Sequence, residues 1–138
     1  MRVLIDANVL LDYISERQPF VIDSSKVIKL CIENVIDGCI AAHTITNLFY
    51  ILRKEISVQE RRKLFLDLCR VFTVIGIDFE KLELSLKNDT FDDLEDCLQD
   101  ECAVEFKADY IITRNTIHFE SSSVKAIEPK DFMGILNL

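Results

Sequence analysis

Basic residues are in the minority in this chain: 16 Lys and Arg stand against 24 Asp and Glu, a formal net charge of −8. That balance argues against binding a polyanion by counterion release alone. Histidine is scarce, at two residues, and the five cysteines (Cys31, Cys39, Cys69, Cys97 and Cys102) include no C-x-x-C pair. Both facts argue against a zinc site. The odd cysteine count, and the place of most of them on apolar stripes, point to reduced core residues and not to a disulfide framework. No apolar run approaches the roughly 20 residues needed to span a bilayer. No signal peptide is visible either, since Met1-Arg2 leads into a short apolar run that meets Asp6 almost at once. A cytoplasmic protein with no membrane contact is the default expectation. Linkers, internal repeats and low-complexity tracts are also missing, and 138 residues fit one domain, 1–138, around one core.

What is present is an alternation of short apolar runs with helical stripes. Residues 2–5 read as a buried strand. Asp6-Ala7-Asn8 opens a helix over residues 9–14, which Gln18-Pro19 breaks. Asp23-Ser24-Ser25 is a capping signal for a helix carrying Ile28, Cys31, Ile32 and Val35, with Gly38 as its C′ residue. Residues 39–42 form a second strand. A helix over 44–54 shows Ile45, Leu48, Phe49 and Leu52 on one face. Ser57 caps another, striped by Leu64, Phe65, Leu68 and Phe72. The β-branched run within 71–77 predicts a third strand, and Asp78 starts a helix through Leu86. After a break at 88–90, a helix over 92–107 carries Leu94, Leu98, Cys102 and Phe106. Residues 110–113 and 124–127 are strands around a polar loop, 115–123, and Pro129 suits the first turn of a final helix. Strands alternating with helices predict an α/β fold, three layers α/β/α, with a central parallel sheet of four to five short strands.

In such a sheet, ligands gather beyond the carboxyl ends of the strands. Asp6 follows the first strand, and Arg114 and Asn115 follow the fourth; Asp92, Asp93, Glu95 and Asp96 open the helix before it. Carboxylates without Cys or His favour hard, oxygen-seeking Mg²⁺ or Mn²⁺. Such an ion can polarise a phosphodiester and activate a water. Clustered carboxylates would also account for an acidic chain, although charge that only maintains solubility explains it equally well.

Val3-Leu4-Ile5-Asp6-Ala7-Asn8-Val9-Leu10-Leu11-Asp12 resembles the opening motif of PIN domains, an apolar strand followed by Asp-x-Asn and an apolar helix. The segment 44–54, ending Phe-Tyr-Ile-Leu-Arg-Lys, is similar to the second motif, and Phe91-Asp92-Asp93-Leu94-Glu95-Asp96-Cys97-Leu98-Gln99 to the third. Tyr110-Ile111-Ile112-Thr113-Arg114-Asn115 with the later Phe119 resembles the last. Each motif alone is weak, but four in order from residue 2 to about 135 are fairly specific. The family includes VapC-type toxin ribonucleases, metal-dependent endonucleases held inactive by an antitoxin. The resemblance therefore implies Mg²⁺ or Mn²⁺, an RNA substrate and an antitoxin partner. It implies Asp6 as the central metal ligand, Asp96 as the second carboxylate and Asp93 one helical turn away. Asn115 would act at the metal or its water shell, joining Asp6 and Asp96 as a catalytic residue. Thr113 would orient Asp6 or a phosphate, with Asn8, Asn47 and Arg114 around the substrate or the ligands. A homodimer is expected because PIN proteins often pair and because the apolar helices of residues 43–72 exceed what one small domain needs to bury.

The chain departs from the family pattern at three places. Asn47 stands where the second motif usually has Glu, Asn115 where an acid is often found, and His118-Phe119 where the pair is usually Asp-Phe. Fewer negative charges weaken a divalent site. The residues thus leave open a PIN-like module that binds RNA or a protein without cutting. An aspartate-nucleophile phosphatase, using Asp6, would want a second acid where Asn8 stands. Plainer roles also exist residue by residue. Asp6 could simply cap a helix, and Asp92, Asp93, Glu95 and Asp96 could complement a helix N-terminus. Asn47 could be a buried polar partner, Asn115 a loop residue and His118 a surface histidine. The basic run Arg53, Lys54, Arg61, Arg62 and Lys63 could be a solvated helix face or a surface for RNA or a partner.

Overall fold

Alternation along β1 (Arg2–Ile5) sends Val3 and Ile5 to one side and Leu4 to the other, and all three are fully buried. A strand buried on both faces must be central and must be covered twice. The computed structural model, which describes residues 1–136, shows this arrangement. With β2 (Asp37–Ala41), β3 (Thr73–Ile75), β4 (Tyr110–Ile112) and β5 (Ala126–Ile127), β1 forms a five-stranded sheet of order β3-β2-β1-β4-β5. Every neighbouring pair is parallel. The helices are α1 (Ala7–Ile14), α2 (Val21–Ile32), α3 (Ala42–Ile51), α4 (Val58–Val71), α5 (Phe79–Lys87), α6 (Leu94–Phe106) and α7 (Pro129–Ile135).

Val3, Ile5 and Ile40 pack with Val9, Ile28, Leu48, Phe65 and Phe132, so α1, α2, α3, α4 and α7 cover one face. Leu4, Cys39, Ala41 and Ile111 pack with Cys102, Ala103 and Phe106 of α6 on the other, and α5 lies against α6. The result is a three-layer α/β/α fold. Successive strands step outward from β1 to β3, and the chain then crosses to β4 on the opposite side of β1. That makes the gap between the ends of β1 and β4 the topological switch point, where an open α/β sheet leaves a crevice.

Several boundaries differ from the sequence expectation, each for a physical reason. Asp23-Ser24-Ser25 lies inside α2, which starts at Val21. Ser24 is buried and its hydroxyl donates to the buried carboxylate of Asp12 at 3.1 Å, so it serves a tertiary partner and not a cap. Gly38 is a strand residue and not the C′ position of α2. Asn34, with φ of 58°, takes that place. Its N–H donates to the Cys31 carbonyl, and the next N–H, from Val35, donates to Leu30, the Schellman pattern. Gly38 is required by close approach instead: a Cβ there would lie 2.8 Å from Cys31 Sγ and 2.9 Å from the Phe72 ring. The helix expected over 44–54 starts at Ala42 and tightens into a 3₁₀ turn, Leu52–Lys54. The loop of residues 115–123 contains another such turn, Thr116–Phe119. Capping by Ser57, through the Glu60 N–H, and by Asp78, through the Lys81 N–H, is as expected.

Cys31, Cys39, Cys97 and Cys102 are buried and free, and Cys69 is exposed. Burial pushes the Cys31 and Cys102 thiols up to about 12, which keeps them protonated and inert. The apolar stripe of residues 43–72 is largely used in the core through Leu48, Leu52, Phe65 and Leu68, leaving Tyr50, Ile51 and Leu66 exposed. No helix among the described residues is long and apolar enough to cross a membrane.

Candidate functional site

Asp6 stands one residue beyond β1, at the switch point, and is 8% exposed. It is the N-cap of α1, its Oδ1 accepting from the Ala7 N–H at 2.7 Å. Capping uses only part of the carboxylate. Oδ1 also accepts from Gln99 Nε2 at 2.8 Å, and Oδ2 accepts from the Thr113 hydroxyl at 2.8 Å and from Asn8 Nδ2 at 3.3 Å. Four donors, drawn from α1, α6 and the end of β4, thus fix its orientation. Thr113 is itself held, since its oxygen accepts from the Asn115 N–H at 3.0 Å and from Asn8 at 3.2 Å.

Asp96 reaches the same region from the first turn of α6. Asp93, and not Asp92, is the N-cap of this helix, its Oδ1 accepting from the N–H groups of Glu95 and Asp96. Burial, followed by the charges of Asp93 and Asp6, pushes the Asp96 carboxyl up to about 6, against the opposing influence of His118. Asp96 is therefore close enough to Asp93 and Asp6 to feel their charges. Asp92, Asp93, Asp96, His118 and Glu120 line an open cleft of about 650 Å³, and none of its lining residues is Lys or Arg.

The other residues singled out in the sequence fall into two groups. Asn8 and Thr113 join Asp6 directly. Asn47 is half-buried on α3, one turn beyond Thr44, a residue whose hydroxyl accepts from Gln99 Nε2 at 3.3 Å. Asn115 is exposed and meets the cluster through its backbone. Arg114 turns away: its N–H donates to Asn8 Oδ1, while its guanidinium forms a forked pair with Asp12 at 2.7 and 3.1 Å and stacks under Phe20 at 3.9 Å. Arg61 of the basic run is likewise engaged, donating to the carbonyls of Phe49 and Ile56.

Sequence reasoning passed over Gln99, Thr44 and Asp12. Gln99 lies three residues after Asp96, on the same face of α6; that spacing was the available signal. Its Oε1 is buried and has no hydrogen-bond partner. His43, at the start of α3, also has a buried, unpartnered Nδ1. Burial lowers its pKa, against the raising influence of Glu95 and Asp6.

The sequence matches the PIN domain family over residues 2–117. The chain belongs to the PIN-domain family. No curated protein matches it at a significant level. Among solved structures, this PIN domain is similar to VapBC2 from Rickettsia felis bound to a DNA fragment from their promoter, with TM-score 0.64 and 14% identity over 93% of this chain and 98% of that one. It is similar to VapBC-1 from nontypeable Haemophilus influenzae, with TM-score 0.65 and 15% identity over 94% and 99%. FitAcB from Neisseria gonorrhoeae gives TM-score 0.66 and 16% identity over 93% and 98%. These likenesses establish the PIN fold along nearly the whole chain.

The donors of this PIN domain fit a hard divalent ion. They are carboxylate oxygens with amide and hydroxyl oxygens around them, and the buried Gln99 Oε1 beside Asp6 is an acceptor without a donor. Among the described residues, no group of three or more His, Cys, Asp or Glu is placed to hold a metal ion.

Proposed function

We propose that this PIN domain, taken as one unit over residues 1–138, is an endoribonuclease dependent on Mg²⁺ or Mn²⁺. The observation that carries the proposal is the cleft beside Asp96: it has four acids in its lining and no Lys or Arg. A phosphodiester would be repelled from such a cleft unless a cation occupied it. Asp6 and Asp96 would hold the ion, with Asp93 beside them. When bound, the ion supplies Lewis-acid stabilisation of the phosphoryl oxygens and lowers the pKa of a coordinated water.

The chain's own residues do the positioning. Thr113, Asn8 and Gln99 fix the Asp6 carboxylate before any ligand arrives; with the Ala7 N–H they fill its acceptor positions, so an ion taken by Asp6 would displace one of these donors. Asp96 must shed its proton to act, which a neighbouring cation favours. Asn115 and Asn47 orient waters or phosphate oxygens at the rim. RNA is the substrate proposed from the VapC-type resemblance, with a 5′-phosphate and a 3′-hydroxyl as product ends. The same resemblance supports an antitoxin-type protein partner, a homodimer and a cytoplasmic location.

The test is cleavage of a mixed structured RNA pool with Mn²⁺, with Mg²⁺ and with EDTA. Cutting in either metal, abolished by EDTA and leaving those ends, is expected. A second reading, a PIN module that binds without cutting, is favoured by the uncharged Asn47 and Asn115. It would be upheld by a folded protein that cuts under none of these conditions.

A further inference from the structure

The acidic cleft offers no Lys or Arg to hold a polyanion, and the basic residues are gathered elsewhere. Residues 53–70 carry six Lys and Arg against three Asp and Glu, and the rest of the chain carries ten against 21. This basic segment follows α3, and α3 begins at the site. Thr44, in its first turn, accepts from Gln99 Nε2 at 3.3 Å, and the same nitrogen donates to Asp6. The core takes Thr44, Leu48 and Leu52. Asn47, Tyr50 and, in the 3₁₀ turn that continues α3, Lys54 follow one another at spacings of three and four residues, a second stripe beside the buried one. Asn47 is half-buried, Tyr50 is 63% exposed and Lys54 is exposed. The Arg53 guanidinium lies 3.8 Å from the Tyr50 ring centroid and donates to the Tyr50 carbonyl at 3.0 Å. A cation thus backs one face of the ring, and the rest of the ring stands in water. Arg61 continues the basic surface onto α4. Its guanidinium donates to the Phe49 carbonyl at 2.6 Å and lies over the Phe49 ring, which holds α4 against α3 with Arg62 and Lys63 exposed.

We propose that the outer stripe of α3, formed by Asn47, Tyr50, Arg53 and Lys54, binds single-stranded RNA and leads it to the Asp6 crevice. A base stacks on Tyr50, and phosphates pair with Arg53 and Lys54. The inference rests on the ribonuclease reading above for its substrate class. An exposed aromatic face with cations beside it is the means by which proteins hold single strands, because every base has a face to stack and every nucleotide a phosphate to pair. A duplex does not fit this use of Tyr50, since its bases are stacked on one another and turned inward. The separation of charge along the chain sets the path. The strand is drawn to the basic end of α3, about 10 Å from Asn47, and meets the acid-rich region only where α3 begins.

The test is fluorescence anisotropy of a labelled single-stranded RNA of about 12 nucleotides, alone and annealed to its complement. Binding is measured at low salt in EDTA, so that it is read apart from cutting, and cleavage of the same RNA is followed in Mn²⁺. Wild type is compared with Tyr50→Ala, Tyr50→Phe, Arg53→Ala/Lys54→Ala and, as a charge control on α2, Lys26→Ala. Wild type should bind the single strand more tightly than the duplex. Tyr50→Ala should weaken the single strand by about fivefold to a hundredfold, whereas Tyr50→Phe, which keeps the ring, should bind as wild type does. Arg53→Ala/Lys54→Ala should lower the slope of log affinity against log salt by about 1.4, the value for two phosphates of a single strand. Lys26→Ala should change neither. Because the substituted residues are exposed, thermal melting of every variant should match wild type. Stripe variants that bind and cut RNA as wild type does would overturn the inference and leave the ribonuclease reading intact: the stripe would then be a solvated helix face. Weaker binding in the stripe variants, with no cutting by wild type, would uphold the inference and overturn the ribonuclease. A halved mass of Tyr50→Ala in light scattering would overturn the inference and assign the ring to a contact between two copies. Wild type that neither binds nor cuts would overturn both.

Discussion

Asp96 is held in a state that its surroundings resist. Its carboxyl is pushed up to about 6, by burial first and then by Asp93 and Asp6. Folded Asp96 therefore keeps its proton over a range of pH in which the unfolded chain has lost it. Its contribution to stability is full below the ordinary carboxylate range and is lost as pH rises through about 6. Metal binding has the opposite slope, because the ion displaces that proton. We expect Mn²⁺ affinity to climb between about pH 5 and 7 and Asp96→Asn to flatten the climb, as measured by calorimetric titration at several pH values. A second prediction concerns the donors to Asp6. Thr113→Val and Gln99→Ala each remove one hydrogen bond from the carboxylate and should lower metal affinity by about 10–100-fold. Their circular dichroism spectra should stay unchanged. At this scale the sequence was readable where a residue's place along the chain determines its role. Asp6 ends an apolar run, and Asp96 opens a helix. Gln99 and Thr44 were not readable, because a lone amide or hydroxyl within a helix acquires a role only when tertiary packing brings a distant carboxylate to it.

The elements are joined at the site by a buried ion pair. Asp12 of α1 is fully buried and accepts from Arg114, which follows β4, and from Ser24 of α2. Because Arg114 also donates its N–H to Asn8, the pair ties the end of β4 to the helix that Asp6 caps. Asp12→Ala would leave the Arg114 guanidinium, 20% exposed, without its partner. Such a loss costs about 3–5 kcal/mol, measurable by urea denaturation. Gly38→Ala would press a methyl group against Cys31 and Phe72, at a cost of about 1–3 kcal/mol. These features also explain which boundaries the sequence concealed. Ser24 resembles a cap and Gly38 a helix stop until Asp12 and Phe72 are seen beside them. Ser57 and Asp78, whose partners lie three residues away, were legible because their interactions are local.

For the whole molecule, the sheet order places β1 and β4 side by side and so sets Asp6 against Thr113. The alternation of strands and helices announced the parallel sheet, and the motif order announced the PIN fold. The third motif implied that α6 converges on the same crevice through Asp96; the bond from Gln99 to Asp6 required the structure. The net charge of −8 has a consequence at this scale: part of it is concentrated in a cleft that a cation would relieve. Saturating Mn²⁺ at about 100 times its dissociation constant should add about 2.7 kcal/mol of stability. Thermal melting would show this as a shift that EDTA reverses. The most direct measurement of the central claim is the rate at which Asp6→Asn cleaves RNA beside wild type at saturating Mn²⁺. The account predicts a loss of more than about a hundredfold, beyond what removal of an indirect partner of a metal site produces, with the fold unchanged by circular dichroism. Cleavage by Asp6→Asn at the wild-type rate would contradict it.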